Sequence, residues 1–167
     1  MQKFIDKYKY YLIQMAAVIL LFEAFGYWML QSGYGATPDG IRNTNSPLYL
    51  ILSFGWVAVT WLAFLAAGLK KFKGVLHGYY ILVLVCLISV FLFPFYHRLP
   101  VMSFFFVFQL FIYIAPLSGV MLLFPNPFAV VAIYTGLNIF LFGYGFRRAV
   151  RIEKNRENTG RGDSDAM

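Results

Sequence analysis

The stretch Leu48–Leu69, LYLILSFGWVAVTWLAFLAAGL, is a run of 22 residues without one charged side chain. As a helix rising 1.5 Å per residue it would be about 33 Å long, close to the roughly 30 Å of a bilayer's hydrocarbon core. Four more segments of this kind flank it, at about Tyr11–Gln31, Tyr79–Phe95, Val101–Phe124 and Phe128–Phe146. None alternates polar and apolar residues as a barrel strand would, and backbone groups in lipid must be satisfied within their own segment, so all five are read as helices.

Composition agrees. The 167 residues are 60% hydrophobic and 20% aromatic but only 13% charged, against about 25% charged in soluble domains. A water-soluble core of this size cannot hide that much apolar surface. The expected fold is therefore all-α: a polytopic integral membrane bundle of four or five transmembrane helices occupying residues 1–146, followed by a basic tail, 147–167, too polar to pack and expected to be disordered.

The net charge of +7 does not point to nucleic acid. Its basic residues cluster beside apolar runs: Lys3, Lys7 and Lys9; Lys70, Lys71 and Lys73; Arg147, Arg148 and Arg151. That distribution orients membrane segments and attracts anionic head groups, with Lys70, Lys71, Lys73, Arg147 and Arg148 the expected lipid contacts. The apolar stretch after the first cluster runs on to Leu30 and lacks a small-residue cleavage site, so it reads as an uncleaved signal anchor.

Two rules then disagree about topology. Five crossings put the termini on opposite sides, whereas the positive-inside rule wants three amino-terminal lysines, three in the 70–73 loop and six basic residues of the tail on one side, 12 of the 14 Lys and Arg, which requires an even number. Either part of residues 101–127, which carries Pro116, Gly119, Pro125 and Pro127, is a broken or re-entrant element, or the bundle is a plain five-helix exception. In both cases the amino terminus is expected in the cytoplasm.

Between the segments, residues 32–47 form a turn-rich polar loop in which Ser46-Pro47 fits an N-cap and first helical position. Lys70–Gly78 reads as a short basic loop. Tyr96–Pro100 and Pro125-Asn126-Pro127 read as tight turns.

Few side chains offer chemistry. Glu23 is the only acidic residue in any expected span, about eight residues or 12 Å from the outer end of its helix. An ionised group at that depth is costly and marks a functional-site hypothesis, a proton carrier or ligand contact. The alternative is a structural carboxyl paired with Arg98, Gln109 or Asn138. His97 and Arg98, beside Tyr96 at the outer face, would suit an anionic ligand or a lipid phosphate, or else form an ordinary interfacial belt. His77 and His97 lie 20 residues apart, about 30 Å along a helix, too far for one metal or haem. His77 and the single cysteine, Cys86, fall on opposite helical faces, which argues against a thiol peptidase. One cysteine makes no intramolecular disulfide.

Gln14, Thr60, Ser89, Gln109, Ser118, Thr135 and Asn138 can line a polar path or bridge helices, but are too few for a wide pore. Ala63 with Ala67, and Gly136 with Gly143, offer close-packing faces. Arg161-Gly162-Asp163 matches an adhesion tripeptide by chance, and no Asn-x-Ser/Thr sequon, phosphate loop or zinc-binding helix occurs. No cofactor or metal is expected. The leading functional expectation is a non-enzymatic accessory or assembly subunit, or a homo-oligomer, of the plasma membrane. A small proton-coupled or solute transporter using Glu23 comes second, and a membrane-embedded enzyme acting on a lipid or quinone third.

Overall fold

The computed structural model describes residues 2–32, 36–37, 40–41, 47–92, 108–124 and 126–164. Five helices make up nearly all of this: α1 (Gln2–Gln31), α2 (Pro47–Leu69), α3 (Lys73–Leu92), α4 (Phe108–Met121) and α5 (Pro127–Ser164). Between α1 and α2, Ala36–Thr37 and Gly40–Ile41 form a two-residue antiparallel ladder. Among the described residues, α1, α2, α3 and α5 are long and apolar enough to cross a membrane, while α4 is a shorter apolar helix. The protein is a multi-pass, all-α membrane protein.

Glycines set the helix pairs. In α3, a Cβ on Gly74 would lie 2.5 Å from the Tyr11 carbonyl oxygen and one on Gly78 would lie 2.8 Å from that of Met15. The pairs rise together along both sequences, so α1 and α3 run parallel. In α2, a Cβ on Gly68 would lie 2.3 Å from Phe142 O, and one on Gly145 of α5 2.6 Å from Leu65 O. Together with the hydrogen bond between Tyr134 and Thr60, this makes α2 and α5 a second parallel pair.

The two pairs oppose each other. Trp56 of α2 packs on Phe22 and Phe25, while Leu50 and Leu52, earlier in α2, join the cluster of Met29, later in α1, and Ala115. One end of the bundle therefore holds the start of α1, the α2–α3 turn and the basic part of α5. The other holds the end of α1, the start of α2, the end of α3 and the start of α5.

That arrangement resolves the conflict over topology. The end of α3 and the start of α5 lie at the same end of the bundle, as an even number of crossings requires. Helix α4 runs parallel to α1, with Gln109 beside Glu23, Ile112 beside Gly26 and Ala115 beside Met29. It is broken by a 3₁₀ turn at Ala115–Leu117, because Pro116 has no N–H and its ring clashes with the preceding turn. Broken backbone at membrane depth is tolerated only where protein covers it, and Ala115 to Gly119 are all buried. Of the two alternatives for this stretch, the described part, Phe108–Met121, is a shorter, broken helix; residues 101–107 lie outside the described residues.

Two further expectations change. Lys70–Gly78 is not a loop: α3 begins at Lys73. The turn closes with Phe72 N–H donating to Ala67 O and Lys71 N–H to Gly68 O, both at 2.9 Å, and Lys71 is left-handed at φ 58°. This is a Schellman cap with lysine where glycine is usual. The second difference is the tail, which continues α5 as helix to Ser164. Residues 151–156 are exposed, as their polarity requires. Arg, Glu, Lys and Ala are good helix formers, and a helix already nucleated in the membrane extends through residues 147–157 at little cost. At the other end of α5, Asn126 is the N-cap: its Oδ1 accepts from Phe128 N at 3.0 Å and Ala129 N at 3.2 Å, with Pro127 in the first helical position. The Tyr96–Pro100 turn, most of the 32–47 loop and Pro125 lie outside the described residues.

Because the Gly68 contact is backbone against backbone, Gly68→Ala should destabilise purified protein by about 1–3 kcal/mol, the usual cost of overpacking. Gly55→Ala, on a face of α2 where a Cβ meets nothing within 4 Å, should be neutral or stabilise by up to about 1 kcal/mol. Unfolding in mixed micelles compares the two.

Candidate functional site

The centre of the bundle is aromatic. Phe22 of α1 meets the rings of Trp56, Tyr79 and Tyr113 at 5.1, 5.5 and 6.1 Å, and Phe64 stands edge-on to Tyr79 at 4.7 Å. These phenols bring hydroxyls into a region without water, and α5 supplies their partners. Asn138 Nδ2 donates to Tyr79 Oη at 2.9 Å, the Tyr79 and Tyr113 hydroxyls are 2.8 Å apart, and Tyr113 Oη lies 3.1 Å from Thr135 Oγ1.

Proton counting gives this chain a direction. Run from Asn138 through Tyr79 and Tyr113 to Thr135, it gives each phenol proton an acceptor. The Tyr134 phenol proton goes to Thr60 Oγ1 at 3.0 Å, and the Thr60 proton goes back to the Trp56 and Val57 carbonyls. Asn138 Oδ1 is then left buried without a donor. An orphaned carbonyl is better tolerated than an orphaned N–H, which favours this orientation of the amide. The network ties α2, α3, α4 and α5 together as polar groups do in membrane bundles.

Glu23 sits apart from this network. It lies on the side of α1 that faces α3 and α4. With the Gln109 amide nitrogen turned toward the carboxyl, Gln109 donates to Oε1 at 2.6 Å and Oε2 at 3.2 Å. Both residues line a cavity of about 150 Å³ shared with Phe22, Leu82, Cys86 and Tyr113. Among the described residues no Lys, Arg or His lines it, so none of them gives an ionised Glu23 a counter-charge there. Tyr113 joins the two features: it lines the cavity while its hydroxyl belongs to the chain that ends at Asn138.

The other site candidates distribute as follows. Gln109 is beside Glu23, whereas Asn138 belongs to the tyrosine chain. His97 and Arg98, with Tyr96, lie outside the described residues. Cys86 lies on the Glu23 cavity, and His77, on the first turns of α3, is exposed with Nδ1 2.8 Å from Lys73 O. As α3 already includes His77, the nine residues to Cys86 keep the two apart. Ser89 bonds the Val85 carbonyl and Ser118 that of Ala115. Of the basic residues, Lys71 pairs with Glu153, Lys73 lies over the Phe146 ring at 5.4 Å, and Lys70, Arg147 and Arg148 are exposed. Among the described residues no group of three or more metal-ligating side chains occurs. A larger hollow of about 610 Å³, lined by Phe54, Trp61, Phe124, Val130 and Tyr134, is almost wholly apolar. No protein-family model, curated protein or solved structure matches this chain.

Sequence reasoning missed the tyrosine chain. Tyr79 reads as an interfacial belt residue because it stands next to Tyr80 near a basic cluster, yet it is fully buried while Tyr80 is 42% exposed. The available signal was Gly78: a glycine that lets α1 approach brings the following residue inward.

Removing the Tyr79 hydroxyl strands Asn138 Nδ2 and breaks the link to Tyr113, so Tyr79→Phe should cost about 1–3 kcal/mol. Tyr134→Phe removes a single bond to a hydroxyl that keeps its other partners, and should cost below about 1 kcal/mol. Paired unfolding measurements in detergent would test that order; equal losses would refute the proton count.

Proposed function

We propose that the chain is a small, non-enzymatic transport protein of the plasma membrane in which Glu23 exchanges its proton with a solute. The supporting observation is that Glu23, the one acidic side chain inside an uncharged apolar run of the described spans, is turned toward a cavity and the amide of Gln109. A carboxyl kept merely for packing gains nothing from adjoining a void, whereas a carrier group needs room for its cargo. The 12 basic residues gathered at one end by the parallel helix pairs support a cytoplasmic amino terminus and tail, with Lys70, Arg147 and Arg148 free to meet anionic head groups.

A second reading, association with a copy of itself or with a partner membrane protein as an accessory subunit, is favoured by α5. Gly136 and Gly143 are seven residues apart on one face, and a Cβ on either meets nothing within 4 Å. Such a seam permits close approach of another helix. Replacing both by leucine should lower the oligomeric mass in mild detergent if that face is occupied, and leave it unchanged if it faces lipid.

For protein in lipid vesicles, the infrared carbonyl band of a protonated carboxyl should come and go reversibly as pH is stepped from about 4 to about 9, a window containing the ordinary carboxylate value. That band should be missing in Glu23→Gln, which should remain folded because Gln109 can still bond the new amide. A Glu23 band that never titrates would defeat the exchange reading.

A further inference from the structure

We infer that the Glu23 cavity is a binding site for a small lipophilic ammonium ion, a primary amine on a benzene-sized apolar body, which enters as the carboxyl proton leaves. The inference rests on the reading that Glu23 exchanges its proton, and it names the cargo class.

Charge makes the first part of the case. With no cationic side chain among the described residues that line the cavity, an ionised Glu23 in this low-dielectric site is stabilised by a cation that enters it. Hydrogen bonding narrows the choice. A carboxylate can accept about four bonds and Gln109 supplies two, so the open positions suit the N–H donors of a primary ammonium. A quaternary ammonium has none to offer.

The walls exclude a bare metal ion. Calcium-like ions take roughly six to eight oxygen ligands, whereas among the described residues Glu23, Gln109 and Tyr113 are the only cavity-lining side chains with oxygen, and the rest are apart from Cys86 aliphatic or aromatic. Size selects the organic body: about 150 Å³ is the volume of the engineered apolar cavity that takes up benzene. The rings of Phe22 and Tyr113 add faces on which a cation is stabilised.

The exchange balances. A protonated carboxyl and an alkylammonium become a carboxylate–ammonium pair plus one proton released to water. The other ionisable groups facing the site are Cys86 from α3 and Tyr113 from α4; α2 and α5 add none to its lining.

The test uses the whole protein in phosphatidylcholine nanodiscs, titrated with benzylammonium and, separately, with benzyl alcohol, its neutral counterpart. Calorimetry in two buffers of different ionisation enthalpy reads protons released. We expect one proton per bound benzylammonium wherever the Glu23 carbonyl band is present. Benzyl alcohol should bind at least about 10-fold more weakly, and the preference for the cation should vanish in Glu23→Gln. Val85→Phe, which fills the cavity while keeping the carboxyl, should weaken benzylammonium binding and leave the titration of the band intact. Equal affinity for the alcohol, binding without proton release, or absence of binding in a protein whose Glu23 band titrates would each overturn the inference while leaving proton exchange standing. A band that never titrates would remove both.

Discussion

In hydrocarbon, a backbone group that loses its helical partner has no water to turn to, and Pro116 imposes that loss in the middle of α4. Lacking an N–H, it cannot bond the Ile112 carbonyl. That carbonyl lies against Gly26, where a Cβ would come within 2.1 Å of the oxygen. The 3₁₀ turn frees a donor as well, and Gly119 N–H finds Ser53 Oγ on α2 at 3.1 Å. The two consequences of one proline fasten α4 to α1 on one side and to α2 on the other. They also fix its depth: with Ile112 opposite Gly26, Gln109 falls one turn back along α4 opposite Glu23, and Tyr113 is carried toward Tyr79.

The rest of the bundle follows from where backbones can approach. Without a hydrophobic drive between helices in lipid, association relies on close van der Waals packing and interhelical hydrogen bonds. Gly74 and Gly78 bring α3 onto α1, and Gly68 and Gly145 bring α5 onto α2. Large aromatics then fill the space between the two parallel pairs, and their hydroxyls need the Thr and Asn side chains of α5. Glycines at the edges and phenols at the centre are thus two halves of one packing solution. The outward faces carry Leu62, Phe91, Phe128 and Phe140, each more than 60% exposed, as surfaces solvated by lipid should be.

The bundle was legible in the sequence because span length and charge content are global properties that no local detail overrides. The crossing number was only half legible: Pro116 and the basic clusters argued for an even count, while hydropathy gave five segments. What could not be read was the meaning of individual glycines. Gly74 and Gly78 beside three lysines look like loop punctuation, yet they belong to a helix whose glycines serve the approach of α1. Gly136 and Gly143 look like a packing face, and a Cβ on either meets nothing within 4 Å among the described residues. A glycine's role depends on what the facing helix does, and a single sequence does not carry that pairing. At the candidate site, Glu23 stood out by charge alone and Gln109 was one of three partners considered, but the link through Tyr113 to Asn138 required the parallel arrangement of helices to be known.

The contrast between the two polar features decides where exchange chemistry can reside. In the tyrosine chain each phenol proton has an acceptor and the phenols are buried among rings, so moving a proton along it would require several bonds to reverse together and would orphan a donor at Asn138. Glu23 is held by one neutral amide and borders open volume, so its proton can leave without dismantling the bundle. A carboxyl in a span carries a standing insertion cost of roughly 2.5–3.5 kcal/mol on biological scales, which a leucine would avoid. Gln109 offsets part of that cost for the ionised form, and the cavity leaves room for a cation to offset the remainder. The polar core therefore fixes the geometry, and the incompletely matched carboxyl beside it is the one group whose state a bound species can change.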